Sequence, residues 1–250
     1  MPITSMKNSM MNGNVICIFA KYPEPGEVKR GLEECLGRKQ AAYLARSFLL
    51  DTISTSLRVP CSDLYIAHWP PDSREDFEDI LCLFENEEKD RVVGEKAGDV
   101  NLIPQSGESF GERLVNSSRI IFERGAQRVI FVGSEGPLLQ ALILHATFEL
   151  LKKNQAVVGP TFSGRYYLIG SDSHYPALFD GIDWSSQTVY KETVDRLNRS
   201  GLCWQELEIS YDVNSPLELE QLYFDIDNLR LAGENDIAYH TEKCLANLRK

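Results

Sequence analysis

Val15-Ile16-Cys17-Ile18-Phe19-Ala20 is an unbroken apolar run that ends on Lys21-Tyr22-Pro23-Glu24-Pro25-Gly26. A strand with one wet face alternates apolar and polar side chains, so a strand without that alternation is buried on both faces. Such a strand needs a helical layer on either side, which is the architecture of α/β sheets. Two prolines and a glycine then bar a helix directly after it, and the chain must leave through a stiff loop. Arg128 to Gly133 (R-V-I-F-V-G) repeats the pattern and predicts a second buried strand.

Around these two runs the apolar periodicity changes from strand to helix and back. Ala41, Leu44, Ala45, Phe48, Leu49 and Ile53 recur at helical spacing and predict a helix from Gln40 to Leu57. Leu64 to His68 reads as a strand and Ser73 to Phe84 as a helix, while Glu85 to Asp99 reads as a charged surface excursion. Further helices are expected at Gly111 to Gly125 and Pro137 to Lys153, the latter with proline in its first turn, where a missing N–H costs nothing. Strands at Ala156 to Gly159, Tyr166 to Gly170 and Trp204 to Ile209, with helices at Ser186 to Arg199, Pro216 to Asn228 and Asn235 to Leu248, complete the pattern. The alternation predicts a single three-layer α/β/α domain over 15–250 with a mixed, mostly parallel sheet, preceded by a polar, Met-rich and disordered lead-in over 1–14. In open sheets of this kind ligands lie beyond the carboxyl ends of the strands, so the segments after Ala20, Gly133 and Gly170 are where a site is expected.

Composition removes several function classes. The net charge is −11 and lysine and arginine form no long run, which argues against a nucleic-acid partner, because that binding depends on neutralising phosphates. Val15 to Ala20 is too short for a signal-peptide core or a membrane span. Six cysteines form no C-x-x-C pair and no histidine sits at zinc-ligand spacing from them, the usage of a reduced, cytoplasmic chain. The four histidines form no constellation and G-x-S-x-G is absent, so a hydrolase triad is a poor reading.

Four segments can carry chemistry, and each has a plain structural alternative. The loop from Ala20 to Leu32, with Lys21, Lys29 and Arg30, can wrap a diphosphate with ammonium groups and backbone N–H groups, or it is a solvated loop with incidental lysines. Glu135, in V-G-S-E-G-P after a buried strand, suits a hard cation such as Mg²⁺ or Mn²⁺ bridging phosphates, or it favours the helix N-terminus electrostatically. Gly159 to Gly170, rich in glycine and hydroxyls, lines a pocket or merely turns the chain. Asp212 or Asn214 supplies a second metal oxygen, or Asn214 and Ser215 cap the helix that starts at Pro216.

Taken in order, the segments F-A-K-Y-P-E-P-G-E-V-K at 19–29, P-Q-S-G-E-S-F-G-E-R at 104–113, V-G-S-E-G-P at 132–137, G-P-T-F-S-G-R-Y-Y-L-I-G at 159–170, G-I-D-W-S at 181–185 and D-V-N-S-P at 212–216 resemble a bacterial family of glycosyltransferase-A-like proteins, often labelled selenodomain-associated transferases. The resemblance runs from Val15 to Leu222. It implies a nucleotide-diphospho-sugar transferase fold and a metal-assisted glycosyl- or nucleotidyl-transfer that uses Mg²⁺ or Mn²⁺. It implies that Lys21 and Lys29 face nucleotide phosphates, that Gln105 and the Gly111 backbone read the base, and that Glu135 with Asp212 or Asn214 holds the metal. Asp183 becomes a candidate base on the acceptor side, with Glu135 as its catalytic companion.

The chain also departs from the family pattern. Family members read K-T-R-L where Lys29-Arg30-Gly31-Leu32 stands, and Asp where Glu135 stands. The usual D-G-G-Y is Ser163-Gly164-Arg165-Tyr166, and the usual D-V-D ends on Asn214. Arg165 therefore brings a cation to a site that has lost a carboxylate. The expected function is a transferase acting on a nucleotide diphospho-sugar, and the alternative is a degenerate protein that binds a nucleotide or sugar phosphate without transfer.

Overall fold

The computed structural model describes residues 13–60, 62–88 and 100–248. The expected lead-in lies outside the described residues except for its last two positions, as does most of the charged stretch before Val100. Seven strands form one sheet: β1 (Asn14–Lys21), β2 (Asp63–Trp69), β3 (Asn101–Pro104), β4 (Arg128–Gly133), β5 (Ala156–Pro160), β6 (Tyr166–Ser171) and β7 (Trp204–Glu206). The helices of the described residues are α1 (Glu33–Leu36), α2 (Arg38–Leu57), α3 (Arg74–Glu88), α4 (Phe110–Glu123), α5 (Ala141–Leu150), α6 (Val189–Arg199), α7 (Pro216–Leu231) and α8 (Tyr239–Leu248).

The strand order is β3-β2-β1-β4-β6-β5-β7. β1 pairs in parallel with both β2 and β4, whereas β6 runs antiparallel between β4 and β5. Five residues connect β5 to β6, too few for the crossover that a parallel pair needs, so this step must be a hairpin. Successive side chains of β1 serve opposite layers, as its unbroken apolar run requires. Ile16, Ile18 and Ala20 pack with Phe77 of α3 and Phe148 of α5, and Val15, Cys17 and Phe19 pack with Leu114 of α4 and Leu197 of α6. A third cluster joins Leu44 and Phe48 of α2 to Leu222 of α7 and Leu245 of α8. That third cluster docks the C-terminal helices on the outside of α2.

Several element boundaries differ from expectation, among them the starts of α6 at Val189 and α8 at Tyr239 and the end of α7 at Leu231, and three further differences have a visible cause or consequence. The helix expected from Pro137 begins only at Ala141, because residues 134–140 are drawn into a turn in which Glu135 O accepts from Val213 N at 3.3 Å and Gly136 O from Leu139 N. The strand expected over Trp204 to Ile209 is regular only to Glu206, although Leu207 and Ser210 still donate to Val158 and Pro160. α3 continues to Glu88, so the first residues of the expected excursion are helical. No helix of the described residues is long and apolar enough to cross a membrane.

Candidate functional site

The chain leaves β1 toward β2 and enters β4 on the other side, so the sheet order reverses between β1 and β4 and a crevice opens beyond their carboxyl ends. A cavity of about 590 Å³ lies there. Lys21, Lys29, Gln105, Glu135, Arg165 and Asp212 line it, which brings six of the sequence-derived candidates into one hollow. Arg30, Gly111, Asp183 and Asn214 are not among its lining residues.

The loop after β1 is folded back on itself. Lys21 Nζ donates to Glu27 Oε2 at 2.7 Å and to the Glu27 carbonyl at 3.0 Å, so this lysine closes its own loop while staying partly exposed at the cavity. The hydrogen bond and charge of Lys21 hold the Glu27 carboxyl below its usual range. At the far end of the loop Lys29 adopts φ 50° and ψ 40°, the left-handed region that a non-glycine residue seldom enters. This backbone turns the side chain inward, where it is only 3% exposed and lies over the Phe48 ring at 5.1 Å.

The buried ammonium has two close oxygen partners. Asn214 Oδ1 accepts from Lys29 Nζ at 3.2 Å and Glu135 Oε1 lies 3.5 Å away. Asn214 Nδ2 in turn donates to Glu135 Oε2 at 3.3 Å, which closes a three-residue ring. Burial lowers the Lys29 ammonium below the ordinary lysine value, opposed by Glu135 and Asp212, while Lys29 is the main cause holding the Glu135 carboxyl low. Asp212 accepts from Ser163 Oγ at 3.4 Å, and burial and then the nearby Glu135 push its carboxyl up to about 6.

Helix starts separate the capping reading from the site reading. α5 begins six residues beyond Glu135, so Glu135 does not serve that helix terminus. Ser215 caps α7 in a capping box with Glu218, which frees the Asn214 side chain for Lys29 and Glu135. Gly31 explains the altered K-R-G-L segment: a Cβ there would stand 2.1 Å from the Asn214 carbonyl oxygen, so the 212–214 segment fills the space a side chain would need.

At the other end the cavity is aromatic. Trp69, Phe110 and Trp184 line it, with the Phe110 and Trp184 rings 4.8 Å apart. Gly111 stands behind this wall, where a Cβ would meet the Phe179 carbonyl at 2.5 Å and Trp184 Nε1 at 2.7 Å, so its observed role is close packing. Gln105 is buried with Nε2 donating to the Ala67 carbonyl at 2.7 Å. Sequence reasoning assigned no role to Arg113, whose guanidinium lies 4.4 Å from the Trp69 ring centre and 5.7 Å from that of Phe110. Its Nε finds no acceptor among the described residues. The only available signal was its place at the end of P-Q-S-G-E-S-F-G-E-R, the segment that carries Gln105.

Arg165 lines the cavity and reaches the Ser185 carbonyl at 3.4 Å, near enough for its charge to lower Glu135 and Asp212. Arg30 is exposed on the short 3-10 turn Arg30–Leu32. Asp183 is exposed and turned into its own loop, accepting from Ser185 N at 3.0 Å and Ser185 Oγ at 2.6 Å, which hold its carboxyl below the usual range. Its location away from the cavity and its lowered proton affinity both count against a role as base.

A divalent cation here would need oxygen donors that are free to bind it. Both Glu135 oxygens and the single Asn214 oxygen are engaged within the Lys29 ring, and one Asp212 oxygen is engaged by Ser163. No group of three His, Cys, Asp or Glu side chains among the described residues is placed to hold a metal ion. As arranged, the set does not fit Mg²⁺ or Mn²⁺, which need several free oxygens around one point.

Comparison with known proteins gives the fold a family. Residues 58–186 match the family described as uncharacterized protein conserved in bacteria (DUF2064). A candidate nucleotide-diphospho-sugar transferase from Desulfovibrio desulfuricans G20 is 32% identical, with a TM-score of 0.76 over 93% of this chain and 98% of that one. The fold is shared at lower identity with 4-diphosphocytidyl-2C-methyl-D-erythritol synthase from Anaerococcus prevotii DSM 20548 (16% identical, TM-score 0.51, 89% and 99% covered). It is shared likewise with a CMP:2-keto-3-deoxy-manno-octonic acid synthetase in complex with CTP (13%, TM-score 0.53, 86% and 98% covered). No curated protein matches the chain at a significant level. With more than half its length matched by the family and a relative above 30% identity along nearly all of it, the chain belongs to the DUF2064 family and has the nucleotide-diphospho-sugar transferase fold.

Proposed function

We propose that this protein is a cytoplasmic transferase that binds a nucleotide diphospho-sugar, or builds one from a nucleoside triphosphate, in the crevice beyond β1 and β4. The observation that carries this reading is the meeting of Lys29, Gln105, Glu135 and Asp212, from segments far apart in sequence, around one cavity of about 590 Å³. A cavity of that size suits a nucleotide-sized ligand. Trp69, Phe110 and Trp184 with Arg113 offer stacking surfaces and free N–H groups to a base, and the Gln105 amide, whose Nε2 already serves Ala67, has its oxygen left to accept from that base. Lys29 and Arg165 line the same cavity, and fixed positive charge of this kind stabilises a departing phosphate.

In such a transfer the bond from sugar carbon or α-phosphorus to a phosphate oxygen breaks. Its electrons leave with the nucleoside diphosphate or pyrophosphate, and the acceptor oxygen forms the new bond. The test is a panel of CTP, UTP, GTP and UDP-, GDP- and CDP-sugars, assayed by calorimetric binding and by release of pyrophosphate or nucleoside diphosphate. Binding of one base class, lost in Lys29→Met and Arg113→Ala, is the expected result. No binding by any member of the panel would refute the reading.

Binding without transfer is the second reading. It is favoured by the prior engagement of Glu135 and Asp212 by Lys29, Asn214 and Ser163. Saturable binding with no product across a panel of sugar and sugar-phosphate acceptors selects it.

A further inference from the structure

We propose that Lys29 is a built-in cation, held in the place of a divalent metal between Glu135 and Asn214, and that phosphates bind this cavity without Mg²⁺ or Mn²⁺. The proposal rests on the reading of the cavity as a nucleotide site, but the lock itself stands on separate geometry.

Three features build the lock. The first is backbone: Lys29 is one of two described non-glycine residues with positive φ, and that unfavourable conformation is what sends its side chain inward. The second is Gly31, whose missing Cβ lets the Asn214 carbonyl approach to a position 2.1 Å from where that Cβ would stand. A larger residue at 31 would push the Asn214 segment away from Lys29. The third is the amide orientation. Asn214 turns its oxygen to the ammonium at 3.2 Å and its NH₂ to Glu135 at 3.3 Å, the only sense in which the amide serves both charges.

A hard cation at this point would need the oxygens of Glu135 and Asn214 for itself. Mg²⁺ takes about six oxygens in near-octahedral geometry at ~2.0–2.1 Å, which the ammonium of Lys29 obstructs by standing between them. Replacement of the ion by a lysine also changes the chemistry. An ammonium offers one positive charge and three N–H donors, two of which are directed at Asn214 and Glu135, so a third remains for a phosphate oxygen. Arg165, at the same cavity, adds the second unit of charge that a divalent ion would have supplied.

The experiment has two arms. In the first, Mn²⁺ is titrated into the protein alone and followed by its EPR signal, for the wild type, Lys29→Met, and the double variant Lys29→Met/Asn214→Asp. The expected result is no stoichiometric Mn²⁺ binding by the wild type and its appearance in the double variant. Wild-type binding that disappears in Glu135→Gln would overturn the proposal. In the second arm, affinity for the best-binding nucleotide of the panel is measured in EDTA and in Mn²⁺. Removing the metal should change the wild-type affinity by less than about twofold, while Lys29→Met should lose about tenfold or more in EDTA and regain part of it with Mn²⁺, as expected for removal of a charge-assisted phosphate contact. A tenfold or greater loss by the wild type in EDTA sinks the inference. If no nucleotide binds under either condition, the functional reading fails and the EPR arm decides the lock by itself. Circular dichroism confirms folding of each variant, and Glu135→Gln, at a half-exposed position, keeps the ring testable if Lys29→Met does not fold.

Discussion

Individual side chains in this site are legible only through their neighbours. Gly31 is the clearest case: the sequence marks it only as a departure from the family pattern, yet a methyl group there would collide with the Asn214 carbonyl. Gly31→Ala should therefore cost about 1–3 kcal/mol in denaturant unfolding, the range for overpacking. It should also weaken nucleotide binding, because the displaced segment carries Asn214 and Asp212. An unchanged midpoint and affinity would show that the 212–214 segment yields freely. Arg113 offers a second test. Its ring contacts are made within the protein and it forms no ion pair among the described residues, so Arg113→Ala should cost only about 0.5–1 kcal/mol of stability and reduce nucleotide affinity by more, about 1.5–3 kcal/mol, the scale of a hydrogen bond from a charged donor. Equal losses in stability and affinity would instead make it a packing residue.

Elements are held in register by polar contacts as well as by the core. Asp51 in α2 is 3% exposed and accepts from His240 N at 2.8 Å and Thr241 N at 2.9 Å, capping α8 from a different helix. Burial is the main cause that pushes its carboxyl from 3.8 up to about 6. A carboxyl raised in the folded state favours folding while protonated, so this contribution is complete below about pH 3.8 and is lost as pH rises through about 6. The stability of the wild type relative to Asp51→Asn should therefore fall between pH 4 and 7, by up to about 3 kcal/mol for a shift near two units. Parallel stability curves for the two proteins over that range would contradict the assignment. At the start of α7 the capping box is a second such contact, and Ser215→Ala should cost about 1 kcal/mol in unfolding free energy. Because Ser215 also fixes the segment that carries Asn214, nucleotide affinity should fall with it.

On the scale of the whole molecule, one sheet carries both apolar layers, and α2 joins one of them to the C-terminal helices. Far- and near-ultraviolet circular dichroism should report one unfolding midpoint; two separated midpoints would mark α7 and α8 as an independent unit. A ligand that spans the cavity touches β1, α4, the 134–140 turn and the 208–212 segment together, so its binding free energy is added to the cooperative unit. A nucleotide present at 100 times its Kd should stabilise by about 2.7 kcal/mol and raise Tm by roughly 5–10 °C for a chain of this size. No shift at a saturating concentration would exclude binding to the native state.

Buried strands, helices with a strong apolar repeat and the capping signature before Pro216 were all determined by local sequence, because each depends on residues within one or two turns of one another. Family segments likewise marked Lys29, Gln105, Glu135 and Asp212, and the fold gathers these at one cavity. Only tertiary structure decided the start of α5, since Glu135 is tied to Val213 across 78 positions and local helix propensity yields to that contact. It alone decided that Ser215 caps α7 while Asn214 turns to Lys29, that Asp183 binds Ser185 in its own loop, and that Arg113 stacks on Trp69. Those outcomes are set by distances between segments remote in the chain, and no periodicity or spacing within one segment encodes them.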